Sequence, residues 1–427
     1  MEYKGITVPG GKRRMPRMAI AVTGMAVISP VGTGLERFWN NICRGTSGIA
    51  PIRAFDTSPF QVKIGGEVPD FDPSQYLSPG EAARMGRASQ FAVAAARTAL
   101  DAAGLGAPLS PADWRATDPD RVAVCIGTTM GEIQVEEAIS AHWMRTGRDS
   151  VPGELFGRYP VGVIPANVAR AVGARGPNYA VPTACAGGNY AVGLGFDLIH
   201  CGLADVVIAG GVDPMSRVAF TGFSRLLSLA PERCQPFDRD RRGLAVSEGA
   251  AAMVLEPLDR AVARGATIMA EILGYGLGMD AHHVTTPHPE GEGAARAMRA
   301  ALRVAGVSPA EVDYISAHGT GTPANDKTET RAIKTVFGAA AYRIPVSSIK
   351  SMIGHTMGAA SAIEAVACVM AIRTGILPPT MNLEHPDPEC DLDYVPNQAR
   401  ARAVRVAVSN AFAFGGNTSS LVVAGRG

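Results

Sequence analysis

Tyr179-Ala180-Val181-Pro182-Thr183-Ala184-Cys185-Ala186-Gly187-Gly188 reads as a strand that breaks at a turn and enters a helix running to Ile199. A thiol at that junction faces the positive end of the helix dipole and its unpaired N–H groups. Both favour the thiolate, which is the nucleophilic form. Gly187 and Gly188 leave room beside the sulfur. Free cysteines are most often small buried core residues, and that reading serves for Cys43, Cys125, Cys201 and Cys368. For Cys185 the setting points to chemistry.

The same strand-then-helix pattern extends in both directions and argues for an α/β fold. Ala19–Gly24, Arg121–Gly127, Ala204–Gly211 and Ala250–Leu255 read as strands. Ser89–Ala103 and Glu132–Thr146 read as helices. Further on, Val312–Ala317 and Ile344–Ile349 are strand-like, Gly358–Gly375 is a small-residue helix, and Arg405–Ser409 and Ser419–Ala424 read as closing strands. A break near residues 257–270 divides the chain into two closely packed halves, 19–265 with the cysteine and 266–427. Pro9-Gly10-Gly11 marks residues 1–18 as a flexible leader; it holds basic residues without an apolar core, unlike a secretory signal.

Bulk properties narrow the class. The chain has 427 residues, 47% hydrophobic and 19% charged, with a formal net charge of +1. There is no global field for nucleic acid or an anionic membrane, and no apolar run is expected to span a bilayer. Seven cysteines at irregular spacing, without a CxxC, indicate neither a zinc site nor a disulfide framework, so reduced thiols in a cytoplasmic protein are expected.

Two later segments present histidines at strand ends: His318-Gly319-Thr320-Gly321-Thr322 and Lys350-Ser351-Met352-Ile353-Gly354-His355. In open α/β sheets reactive groups gather at such ends. A neutral imidazole with a free N–H stabilises a developing oxyanion or enolate. One thiol and two imidazoles therefore suit acyl transfer followed by chemistry at a carbon beside a carbonyl. Thr320 and Thr322 offer hydroxyls to an extended ligand's amides. Lys350 needs an acidic partner if buried, and Asp326 and Glu329 are the expected ones. His282 and His283 precede a loop, Val284-Thr285-Thr286-Pro287, that could border a pocket, while His142, His200, His288 and His385 have no special setting.

Taken together, Thr183-Ala184-Cys185, His318 through Asp326 with Glu329, Lys350-Ser351 with Gly354-His355, and Phe412-Ala413-Phe414-Gly415-Gly416 resemble an elongating β-ketoacyl-acyl carrier protein synthase, of fatty-acid or type II polyketide kind. The resemblance covers Ala19 to Val423. It implies a thiolase-like fold: two pseudo-duplicated halves in a five-layered αβαβα arrangement. It implies that Cys185 takes an acyl group from the phosphopantetheine arm of an acyl carrier protein, with the N–H groups of Cys185 and Phe414 as oxyanion hole and Phe414 as gate. His318 and His355 would hold the enolate formed when malonyl-carrier protein loses carbon dioxide, and Lys350 and Glu329 would order them. Thr320, Thr322, Thr285 and Phe412 would contact the substrate arm, and Met130 would line the acyl pocket. No metal and no bound cofactor is implied. The partners implied are the carrier protein, met by a basic rim for which Arg84, Arg225 and Arg233 are candidates, and a second subunit, identical or a chain-length partner.

Several residues depart from the family pattern. Ala413 replaces a glycine and should stiffen the gate; Asn417-Thr418 is inverted; Ser361 stands for glycine; Gly187-Gly188 replaces a small polar pair; Glu132 is an unexpected charge. These lean towards a specialised polyketide pathway. A thiolase would need a second cysteine in a late Cys-x-Gly, whereas the last cysteine lies in Glu389-Cys390-Asp391. A chain-length-determining subunit with little catalysis, a thiolase-like acyltransferase and, more distantly, a cysteine hydrolase are the competing readings; the retained Cys185 favours a true enzyme.

Overall fold

The computed structural model describes residues 19–106, 114 and 117–426, so the leader at 1–18 lies outside the described residues. Ten strands form its main sheet path: β1 (Ile20–Ser29), β2 (Val122–Gly127), β3 (Asn178–Val181), β4 (Val206–Asp213), β5 (Gly249–Pro257), β6 (Ala270–Met279), β7 (Tyr314–Ser316), β8 (Val346–Ser347), β9 (Val406–Phe412) and β10 (Asn417–Ala424). Their order is β8-β7-β9-β10-β6-β1-β5-β4-β2-β3. β1 and β6 meet antiparallel at a seam, with Ile20 opposite Ile272 and Val22 opposite Ala270.

Outward from that seam the two arms are the same. Each runs first, fifth, fourth, second, third strand of its own set of five. In each, the fifth strand pairs antiparallel with the first and fourth. The fourth, second and third are parallel. β4 and most of β5 are buried on both faces, which is why they read as unbroken apolar runs rather than alternating ones.

Helices complete five layers. Arg87–Ala102 and Val163–Val172 cover the outer face of one arm, and Glu292–Ala305 and Pro323–Phe337 that of the other. Gly187–His200 and Ala360–Thr374 lie between the arms and contact both. Three apolar cores follow: an outer one around Phe91, Val124 and Val168, a middle one around Phe196, Ile363 and Leu421, and a second outer one around Met298, Ile333 and Val422. This is the αβαβα arrangement expected from the sequence.

One expectation needs correction. Met357–Thr374 is long and apolar enough to cross a membrane, with mean hydropathy 1.4, yet 78% of it is buried inside the fold. A helix hydrophobic all round belongs in a core as readily as in a bilayer, and this one fills the middle layer. Element ends also differ. The stretch expected as a strand from Ile344 to Ile349 pairs only at Val346–Ser347, because the chain turns at Ile349 into the short helix Lys350–Ile353.

The two middle helices start alike. Each is entered through a single 3-10 turn, Ala184–Ala186 or Met357–Ala359. The first residue of each turn is left-handed, Ala184 at φ 50° and Met357 at φ 51°. The helices touch at their first turns: a Cβ on Gly188 would stand 2.4 Å from the Ala362 nitrogen. Gly188→Ala is therefore expected to cost about 1–3 kcal/mol or more, read by urea denaturation. Gly80→Ala, with nothing within 4 Å of its added Cβ, should stay within about 0.5 kcal/mol of the parent. Equal stability of the two variants would contradict the close contact.

Candidate active site

A cavity of about 300 Å³ gathers side chains from both arms: Cys185, His318, His355, Thr320, Thr322, Thr285, Phe412 and Phe414 all line it. Three of the sequence candidates lie elsewhere. Lys350 and Glu329 are fully buried yet do not line the cavity. Met130 packs instead in an apolar cluster with Ile52, Met215, Phe220 and Phe223.

Local geometry explains each placement. Cys185 is in the 3-10 turn that opens helix Gly187–His200 and is 6% exposed. Burial pushes its thiol up, to about 12, against the pull of the Lys350 ammonium and of the Cys185 and Phe414 N–H groups; Asp213 adds to the rise. The expectation of a resting thiolate is thereby reversed: desolvation of the charged form outweighs the helix end. The cysteine rests as a thiol and must pass its proton on when it attacks.

The imidazoles are built to be neutral. Burial and the Lys350 ammonium hold both His318 and His355 well below the usual histidine range, and His355 further lowers His318. The rings stand 5.5 Å apart and nearly perpendicular. The Met357 N–H donates to His355 Nδ1 at 3.1 Å, so we assign the ring proton to Nε2. Lys350 Nζ lies 3.5 Å from His318 Nδ1, which assigns the same tautomer there. The two side chains thus present N–H donors to one cavity.

Behind them the acids are distributed differently from expectation. The partner of Lys350 is Glu364, at hydrogen-bond contact and equally buried, rather than Asp326 or Glu329. Burial raises Glu364, to about 7, against that ammonium. Glu329 instead accepts the backbone N–H groups of His318 and Gly319, each at 2.8 Å, and so fixes the strand end that carries the histidine. Asp326 accepts the N–H groups of Phe237 and Gly321 and faces Arg241 at 3.7 Å. Glu364 had a signal in the sequence: it is the one carboxylate within the apolar helix Ala360–Thr374.

The departures from the family pattern find structural roles. Ser361 Oγ accepts the Asn189 N–H at 3.0 Å, capping the cysteine helix from its neighbour. Glu132 is buried and accepts the Ala88 and Ser89 N–H groups, capping helix Arg87–Ala102. Ala413 sits at φ −135°, extended backbone open to any residue. The Phe414 segment, expected to be a gate, is held by the Gly415 N–H donating to the Val284 carbonyl at 2.7 Å, and Phe414 packs on Phe223 with centroids 5.6 Å apart. His283 and Asp280 line the cavity, as the loop reading allowed for His283. Of the proposed basic rim, Arg225 adjoins the lining residue Leu226, Arg233 is paired with Glu384 at 2.6 Å, and Arg84 ends helix Pro79–Arg84 away from the lining.

Among the described residues, one group has metal-ligand spacing: Asp238, Asp240 and His385. The Asp238 oxygens already accept N–H groups of Asp240, Glu384 and His385, so the cluster stitches a turn. It lies outside the cavity lining.

The raised thiol has a direct readout. Alkylation of Cys185 by iodoacetamide, followed on its own peptide, is expected to climb about tenfold per pH unit up to at least pH 10. A plateau reached by pH 9 would show a thiolate-prone cysteine and contradict the burial argument.

Comparison with known proteins shows the family. The family model for the β-ketoacyl synthase N-terminal domain matches residues 17–261, and that for the C-terminal domain residues 269–384. A 3-oxoacyl-(acyl-carrier-protein) synthase 2 from a Synechocystis species is 43% identical over 414 residues, 95% of this chain and 98% of the relative. A Staphylococcus aureus protein of the same name is 40% identical, over 94% of this chain and 97% of its own. Among solved structures, the ishigamide ketosynthase/chain length factor superposes with a TM-score of 0.91 at 42% identity, covering 96% of this chain and all of that one. A type II polyketide ketosynthase in complex with its acyl carrier protein superposes with a TM-score of 0.88 at 32% identity, over 96% of this chain and 100% of that one. With both domain families matched over most of its length and relatives of 40% and 43% identity, the chain belongs to the β-ketoacyl synthase family.

Proposed function

We propose that this protein is a β-ketoacyl-acyl carrier protein synthase, extending an acyl chain held on Cys185 by decarboxylative condensation with malonyl-carrier protein. The observation that carries the reading is that His318 and His355 face the same cavity as the buried Cys185, with the Met357 N–H bonded to His355 Nδ1; burial lowers both imidazoles from the usual histidine range.

In the first half-reaction Cys185 Sγ attacks the carrier's thioester carbonyl. The N–H groups of Cys185 and Phe414 take the oxyanion, and the pantetheine thiol leaves with the cysteine's proton. In the second, the malonyl carboxylate departs as carbon dioxide and its electron pair becomes a thioester enolate. The Nε2–H groups of His318 and His355 hold the enolate oxygen. The α-carbon then attacks the acyl-Cys185 carbonyl, the same oxyanion hole serves again, and the Cys185 sulfur leaves and regains a proton. Neutral donors suit this chemistry because they stabilise the enolate without protonating it. Lys350, paired with Glu364, orders His318; Glu329 orders its backbone. Thr320, Thr322, Thr285 and Phe412 hold the arm, and Met130, outside the cavity lining, borders the acyl end through its apolar cluster with the lining residue Phe223. The chemistry uses no resident metal or cofactor; the phosphopantetheine arm carries both substrates.

The two thiolase-like halves divide as 19–265 and 266–427, a division supported by the repeated strand order. β3 is an edge strand with Tyr179 exposed. We assign this edge to a second subunit, a second copy or a chain-length partner. An acyl chain of fatty-acid or type II polyketide synthesis is the substrate we infer, in keeping with relatives named 3-oxoacyl-(acyl-carrier-protein) synthase 2 and a type II polyketide neighbour, and a cytoplasmic setting fits the seven free cysteines.

Acyl-carrier protein is expected to add one acyl mass to the intact protein, at Cys185, and Cys185→Ala to abolish it. His355→Ala should lower condensation about 10²-fold or more while loading falls far less. An unmodified Cys185 after incubation with a panel of acyl-carrier proteins would overturn the enzyme reading, and equal loss of both halves would overturn the role of His355.

A further inference from the structure

Among the buried acids outside the mechanism above, Asp213 ties together two turns beside the site. Asp213 ends β4 and is fully buried. Its Oδ1 accepts the Thr128 hydroxyl at 2.7 Å and the Met130 N–H at 3.2 Å. Its Oδ2 accepts the Thr129 N–H at 2.8 Å and the Gly358 N–H at 2.6 Å. Three of these donors belong to the turn after β2, and the fourth to the turn that opens helix Ala360–Thr374. Only a carboxylate offers acceptors alone to four converging donors.

The second turn bears directly on His355. The Met357 N–H donates to His355 Nδ1, and the next residue, Gly358, donates to Asp213. Met357 is thus held in its left-handed conformation, φ 51°, between the two bonds. Little slack remains, because a Cβ on Gly358 would stand 2.5 Å from the Thr128 Cα. We propose that Asp213 is a positioning residue that locks the Thr128–Met130 turn and the Met357–Gly358 turn in one register, so that the His355 tautomer used in condensation depends on the turn carrying Met130. The inference rests on the role of His355 proposed above. Its charge acts on the same centre, since Asp213 raises the Cys185 thiol. Burial raises Asp213 itself, and its four donors pull it back. The signal in the sequence is an acid closing an otherwise apolar strand, Val206 to Val212.

Asp213→Asn keeps the shape but turns an NH2 group against two of the donors. Thr128→Val removes one donor without changing volume, and Thr128→Ser restores it. Hydrogen–deuterium exchange of peptides spanning 126–132 and 354–360 reads the link without turnover. Both peptides are expected to exchange about tenfold faster together in Asp213→Asn and in Thr128→Val, and at the parent rate in Thr128→Ser. In the half-reactions, condensation kcat should fall about 10- to 100-fold with the KM for malonyl-carrier protein changed less than about threefold, while acyl loading stays within about threefold. Acceleration confined to one peptide, or equal loss of loading and condensation, would overturn the proposal. Failure of the parent to load Cys185 would instead overturn the proposed function, and the exchange arm would still decide the link. Should Asp213→Asn not fold, the Thr128 pair carries the same test.

Discussion

The site depends on the contact between two helix beginnings in the middle layer. Gly188 and Ala362 bring the first turns of Gly187–His200 and Ala360–Thr374 into backbone contact. Both helices therefore aim their positive ends at one place. The proposed reaction develops negative charge there three times, in two tetrahedral oxyanions and an enolate. Each helix is entered through the same strained turn, with Ala184 and Met357 at nearly equal φ. The duplicated topology explains this: two like halves, packed across the β1–β6 seam, place two like helix entrances face to face.

Burial then sets the protonation states. The Cys185 thiol and the His318 and His355 imidazoles face the cavity, held towards their uncharged forms by burial, while Lys350 and Glu364 stand behind it. Lys350 and Glu364 form a buried pair, whose desolvation is costly and whose net stabilisation is small. Its use lies in the field: the ammonium adds to burial in lowering both imidazoles and opposes burial at the thiol. Glu329 and Asp213 spend their oxygens on backbone N–H groups. The buried acids fix turns, and the turns fix the reactive groups.

The sequence made the scaffold and the reactive atoms legible for definite reasons. Strands buried on both faces, such as β4, show as unbroken apolar runs, and glycine-rich turns mark their ends. Cys185, His318 and His355 stand at those ends and meet in one cavity. What stayed hidden was long-range pairing. Lys350 finds Glu364 on the next helix, because that helix folds back over the lysine, while Asp326 and Glu329 turn towards backbone N–H groups. Local reasoning about Cys185 saw the helix end but not the depth of burial, which reverses the sign of the shift. Ser361 and Glu132 looked like departures and act as caps for helices elsewhere in the chain.

The central claim is that His318 and His355 work as neutral Nε2–H donors. Nitrogen-15 spectra of histidine-labelled protein at pH 6 test it most directly, with signals assigned by His318→Ala and His355→Ala. A histidine of ordinary pKa near 6.5 is about three-quarters protonated there. Two neutral rings with the proton on Nε2 are the result this account predicts. Imidazolium signals at pH 6, or protons on Nδ1, would contradict it.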